Sequence, residues 1–187
     1  VQEIILLTLY PHFSKATTGS SITHFHRHLD RLAPGMPLQV ISSWPTQPSY
    51  IKALASLIGA GIACFGAKEV SIVYSAHSLP VSFIKEGDPY VNHIQETIQA
   101  VERITGVEGQ LCYQSRSGPV EWLSPSTPEM LRQLAGEGCQ NILMVPISFV
   151  SDHIETLYEI NILYKEMAAQ LGMNLQSCAS LNTNEMF

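Results

Sequence analysis

The stretch "EVSIVYSAHSLP", residues 69–80, decides the fold. Its first eight residues form a short run of branched and aromatic side chains, the pattern of a strand buried on both faces. Apolar runs of the same kind occur at 3–9, 37–43, 110–115, 141–148 and 175–180. Between them lie helical stretches: 17–33, 48–66, 88–106, 126–138 and 153–172. Ser20 or Ser21 is the expected cap of the first. Gly66 closes the second, and Pro89 and Gly106 bracket the third. Ser126 or Thr127 caps the fourth. Strands alternating with helices give an α/β protein, with parallel sheets flanked by helices. In such a sheet ligands gather beyond the carboxyl ends of the strands. Polar clusters follow these ends: "YPHFSKATTGSS", "SAHSLP", "RSGPVEW" and "SFVSDHIE". His77 and Glu155 are therefore expected on one rim.

Composition narrows the function. At 187 residues with 45% hydrophobic side chains, the chain can bury a sizeable core. A net charge of −6 argues against nucleic acid, which needs a basic face. The longest apolar run, 53–65, is too short to span a bilayer, and no basic-then-apolar leader opens the chain. Cys64, Cys112, Cys139 and Cys178 have no metal-ligand spacing, and three sit in apolar segments. A reducing, cytoplasmic setting fits them. Gly59 and Gly61 lie inside a helical run, so they are not a nucleotide fingerprint.

The residues alone leave the roles open. His77, at a strand end, suits a base or a metal ligand. Its neighbours Ser75 and Ser78 are candidates to orient it. Asp152 and Glu155 have the spacing of a capping box, yet Glu159 lies one turn beyond Glu155 on the same helix face. With His153 beside them, these acids also suit a divalent cation. Arg116 is a candidate carboxylate clamp. Trp122 suits either a flat ligand or the core.

Taken in order, "LYPHFSKATTGSS" (9–21), "YSAHSLP" (74–80), "GDPY" (87–90), "YQSRSGPVEWLSPST" (113–127) and "PISFVSDHIETLYEI" (146–160) resemble the ferrochelatase family. The resemblance implies a chelatase-like pair of lobes, each a four-stranded parallel sheet, with a porphyrin cleft between them. Residues 1–42 would end the first, incomplete lobe, and 43–187 would form the second, with 42–50 crossing between them. It implies insertion of ferrous iron into protoporphyrin IX to form protohaem, the final step of haem biosynthesis, with porphyrin and iron as substrates and no organic cofactor. The catalytic pair would be His77 and Glu155. The metal-handling set would be His77, Glu155, His153, Glu159 and Asp152. Tyr10, Thr17 and Trp122 would face the porphyrin, and Lys15 or Arg116 would meet its propionates. Ala16 and Asn161 replace a serine and an aspartate common in the family. An iron–sulfur cluster is not assignable from these cysteines. Alternatives are a coproporphyrin-specific iron chelatase, a related cobalt chelatase and a non-catalytic porphyrin or haem binder. Peripheral membrane association and oligomeric state stay open. The family's amino-terminal third and carboxyl-terminal end are not in these residues, so the piece is not expected to turn over alone.

Overall fold

The computed structural model describes residues 1–185; the last two residues of the polar tail, 186 and 187, lie outside it. Two parallel sheets are present. The first pairs β1 (Ile4–Leu7) with β2 (Leu38–Ile41), connected through a π-helical turn (Lys15–Gly19) and α1 (Ser20–Leu32). The second is built from β3 (Ser71–His77), β4 (Gly109–Gln114), β5 (Asn141–Pro146) and β6 (Asn174–Ser177), in the order β4-β3-β5-β6. Every pairing in it is parallel.

The second sheet is covered on both faces, as its apolar runs require. Successive β5 residues point to opposite sides. Leu143 and Val145 pack toward α2 (Pro48–Ala63) and α4 (Tyr90–Thr105), against Leu54, Ile58, Ile94 and Val101. Ile142 and Met144 pack against Leu131, Leu134, Ile160 and Ala168. The helices on that side are α5 (Thr127–Gly136), a long π-helix (Glu155–Tyr164) and α6 (Lys165–Gln170). α2 lies so close to β5 that a Cβ on Gly61 would fall 2.8 Å from a Leu143 methyl. That contact accounts for a glycine inside this helix. Ser126 resolves the choice of α5 cap: its hydroxyl accepts the Glu129 amide, and Glu129 reaches back in a capping box. Gly106 ends α4 at φ 70°, a conformation open to glycine without strain.

Four expectations are corrected. The reading of 3–9 as buried on both faces fails, because β1 has one strand partner and leaves Ile5 61% and Leu7 55% exposed. The first helical segment begins at Lys15, capped by Ser14, whose hydroxyl accepts the Ala16 amide. Ser20 already lies within the helical run and bonds back to the Ala16 and Thr17 carbonyls. A short helix α3 (Val81–Lys85) occupies what reads as loop. Finally, 155–164 is a π-helix instead of the first turns of one α-helix. The 42–50 connection is pinned to the loop after β1. There the Trp44 amide donates to Pro11 O at 2.9 Å and its indole N–H to Thr8 O at 2.8 Å.

Candidate active site

His77 is the last residue of β3, and Glu155 follows β5. The chain leaves β3 for β4 on one side and returns to β5 on the other, so β3/β5 is the topological switch point where ligands bind in such sheets. A cavity of about 450 Å³ opens there, within the size range of small-molecule sites. Its walls are the loop after β1 (Tyr10, Thr17), the β3 end (His77), Tyr90, and the segment after β5 (Phe149, His153, Glu155).

His77 Nδ1 lies 2.7 Å from Glu155 Oε2. The carboxylate accepts only, so the proton is assigned to Nδ1 and the Nε2 lone pair is left as the free acceptor. The ring is held from its backbone: Tyr90 OH donates to His77 O at 3.0 Å, and His77 N–H donates to Ser148 Oγ at 3.0 Å. Neither Ser75 nor Ser78 orients it. Ser75 donates to Gln114 Oε1 at 2.6 Å, and the buried Ser78 hydroxyl has no hydrogen-bond partner among the described residues. The His77 hydrogen bond, opposed by desolvation and aided by the His77 charge and by Ser115, holds the Glu155 carboxyl below its ordinary range.

Glu159 continues the line. Ser115 Oγ lies 2.8 Å from Glu155 Oε2, and 2.9 and 3.0 Å from the two Glu159 oxygens. One hydroxyl proton thus serves two carboxylates. The π-helix, with its i→i+5 spacing, brings Tyr164 OH to 3.1 Å from Glu159 Oε2. Gln114, buried on β4, donates to the Glu155 carbonyl at 3.1 Å and approaches Glu159 Oε2 at 3.4 Å. Ser115 holds its place at φ 63°, a conformation uncommon for a residue with a side chain.

The remaining candidates are dispersed. His153 lines the cavity, its Nδ1 accepting the Glu155 amide at 3.2 Å and its ring packing on Phe149 at 4.2 Å. Asp152 turns away, because Thr156, Ser180 and Asn182 donate to its carboxylate at 3.2, 2.7 and 2.9 Å. These bonds, with Asn182 the largest contributor, lower its pKa. Asp152 therefore anchors the segment after β6 and does not line the cavity. Tyr10 and Thr17 line it, and Trp122 does not; its indole N–H approaches Gly118 O at 3.4 Å. Arg116 is spent on Leu123 O at 2.7 Å and Glu129 at 3.5 Å, and Lys15 Nζ on Glu86 O at 2.9 Å. Among the described residues no three His, Cys, Asp or Glu side chains form a group disposed to hold a metal ion. The five-residue metal set is thus not assembled as one centre. The four cysteines are unpaired thiols dispersed over the fold, with Cys112 and Cys178 buried.

Reading the residues one by one missed Gln114, Ser115, Ser148, Tyr90 and His12. Gln114 ends, and Ser115 directly follows, a strand that reaches this rim, which is the signal that would have found them.

A similar α/β fold is found in a solved structure, "SirB from Bacillus subtilis with Fe3+", at TM-score 0.68 and 12% identity. The match covers all of this chain and 67% of that one. At that identity the likeness is one of fold. The family is fixed by sequence: the pattern described as Ferrochelatase matches residues 1–187. The chain is 61% identical over 187 residues to the ferrochelatase of Desulfotalea psychrophila, covering all of this chain and 58% of that protein. It is 51% identical over 190 residues to that of Geotalea uraniireducens, covering all of this chain and 60% of the relative. This chain belongs to the ferrochelatase family, and it spans about 58% of the length of that first relative. No helix among the described residues is long and apolar enough to cross a membrane.

Proposed function

We propose that the protein carrying this chain inserts ferrous iron into protoporphyrin IX, with His77 as proton acceptor and Glu155 as its partner. The observation that carries the reading is the 2.7 Å contact between His77 Nδ1 and Glu155 at the cavity. Insertion exchanges two pyrrole protons for one Fe2+, so two protons must leave the macrocycle. An imidazole whose Nδ1–H is held by a carboxylate presents Nε2 as a base, and the carboxylate stabilises the cation formed when it accepts a proton. Glu155, whose pKa is lowered further by its bond to His77, supplies that negative charge. Ser115 and Glu159 extend the line away from the cavity and offer a route for the released protons or the incoming cation. His153 stands at the head of that route. Tyr10 and Thr17 form the porphyrin-facing wall, with Trp122 added from outside the cavity described above. Asp152 is left out of the metal route, because its oxygens are already engaged.

The two-lobe division belongs to the same reading. Residues 1–42 would be the end of a first lobe and 43–187 the second. The separate β1–β2 sheet and the exposed Ile5, Leu7 and Ile41 support a first lobe that needs further chain to cover it. A cytoplasmic enzyme of the lyase class follows from the same reading, and so does the inactivity of these 187 residues alone.

The decisive experiment is metal insertion by the complete protein with ferrous iron, offered protoporphyrin and coproporphyrin separately. Turnover of protoporphyrin is expected. His77→Ala should abolish insertion while leaving porphyrin binding, read by absorbance titration, largely intact. Near-normal turnover in that variant would remove His77 from the mechanism. Glu159→Gln should raise the iron concentration needed for half-maximal rate, with little effect on porphyrin affinity; an unchanged iron titration would count against the acidic route.

A further inference from the structure

Within the "GDPY" motif Tyr90 supports His77, while Asp88 has no part in the mechanism above, although it is 4% exposed and uses both carboxylate oxygens. Oδ2 accepts the Ser14 hydroxyl at 3.0 Å and the Lys15 amide at 2.7 Å. Oδ1 accepts the Tyr90 amide at 3.0 Å. Among the described residues no lysine or arginine forms an ion pair with Asp88. A buried carboxylate without a cation is costly unless hydrogen bonds to it are made in full. Three donors converging on two oxygens is a demand that a neutral amide, with one oxygen, cannot meet.

Two of the three donors belong to the loop after β1, which carries Tyr10 and Thr17. The third is the amide of Tyr90 itself, whose hydroxyl bonds the His77 carbonyl. Two further contacts lash the same loop to α4. The Phe13 amide donates to His93 Nδ1 at 3.2 Å, and His12 Nε2 lies 2.9 Å from Thr97 Oγ1. Ser14 also caps the π-helical turn that holds Thr17, so the Asp88 bond fixes the start of that turn.

We propose that Asp88 is a positioning residue: it fixes the Tyr10 and Thr17 wall of the cavity against the strand end that carries His77. This rests on reading the cavity as the porphyrin site. The loop is held at its middle by Asp88 and by α4, and among the described residues no hydrogen bond or ion pair joins it to His77 or Glu155. Loosening it therefore weakens binding of the macrocycle and leaves the proton-transfer pair in place. In kinetic terms the loss falls on KM and not on kcat.

The test uses Asp88→Asn, Ser14→Ala, the double variant and the conservative Ser14→Thr in the complete protein. Amide hydrogen exchange over residues 13–19 and over β3 is measured beside porphyrin KM and kcat. Asp88→Asn is expected to raise KM about tenfold, the loss of one charge-assisted hydrogen bond, with kcat changed less than about twofold. Exchange at Lys15 should accelerate about tenfold while β3 is unaffected. Ser14→Ala should show a smaller effect, the double variant should be no worse than Asp88→Asn alone, and Ser14→Thr should recover native KM. Unchanged exchange over 13–19 in Asp88→Asn overturns the proposal. So does a fall in kcat at constant KM, or full additivity in the double variant. Should Asp88→Asn fail to fold, Ser14→Ala and its threonine rescue decide alone. Should the unmutated protein fail to metallate porphyrin, the chelatase reading falls, and the exchange arm still decides whether Asp88 holds the loop.

Discussion

Acidification from pH 7 to 5.5 will destabilise this protein through His12. His12 is 2% exposed, its Nε2 is engaged with Thr97, and its Nδ1 has no hydrogen-bond partner among the described residues. Burial first, and the charge of His93 second, hold its pKa at about 3 against an ordinary 6.5. The unfolded chain therefore takes up a proton that the folded chain refuses. The contribution is complete above pH 6.5 and is lost progressively as pH falls toward 3. For one such group, the linkage relation gives a loss of about 1 kcal/mol between pH 7 and 5.5, and about 1.4 kcal/mol for each further unit. Glu155 does not interfere in this window. Its pKa is lowered from 4.5, so its contribution is present above that value and is lost only as pH falls through the lower folded value. The assay is urea denaturation at both pH values for the native protein and for His12→Gln, which removes the titrating ring and keeps a polar side chain. The native protein should lose about 1 kcal/mol more than the variant. Equal acid losses in the two, or a His12 ring that protonates near pH 6.5 by NMR, would refute the reasoning.

Ser115→Ala should cost about 1 kcal/mol, because it removes the hydroxyl between Glu155 and Glu159. Ser115→Gly should lie above it in thermal stability, since glycine adopts φ 63° freely; equal melting temperatures would show that no strain resides there. His153→Ala should lose about 1 kcal/mol of stability through the helix cap, and a variant as stable as the native protein would remove that role. Gly61→Val should cost about 1–3 kcal/mol by forcing α2 from Leu143, read by denaturant midpoint; no loss would mean the helix slides freely on β5.

The layered fold was legible because the central strands β3 and β5 of the second sheet are buried on both faces and say so in their composition. The His77–Glu155 pair was legible for a different reason: parallel strands deliver their carboxyl ends to one rim, however far apart they lie in the chain. What stayed hidden depends on partners that local pattern does not name. Ser180 and Asn182 reach Asp152 from about thirty residues away, and no spacing within "SDHIE" announces them. Arg116 and Lys15 read as free cations, yet carbonyls of neighbouring loops engage both. The π-helix was hidden because its apolar positions also suit an α-helix. The Tyr164–Glu159 bond, five residues apart, is its side-chain mark.

The capping-box spacing of Asp152 and Glu155 shows how a correct local rule can point to the wrong residue. In that arrangement Glu155 would turn back to the Asp152 amide, and its carboxylate would be lost to the site. Here the Asp152 amide donates instead to Asn182 at 2.9 Å. The start of the helix is capped by His153: its ring Nδ1 takes the Glu155 amide, and its own amide donates to Thr156 Oγ1 at 3.0 Å. With both terminal demands met by His153 and Thr156, the Glu155 carboxylate is released to face His77 and Ser115. Asp152 thus serves the site without touching its chemistry, by tying down the following segment, and His153 also serves it by taking over the cap. A glutamate in a first helical turn is ordinarily a helix-stabilising group; this one faces His77 because a histidine does the capping.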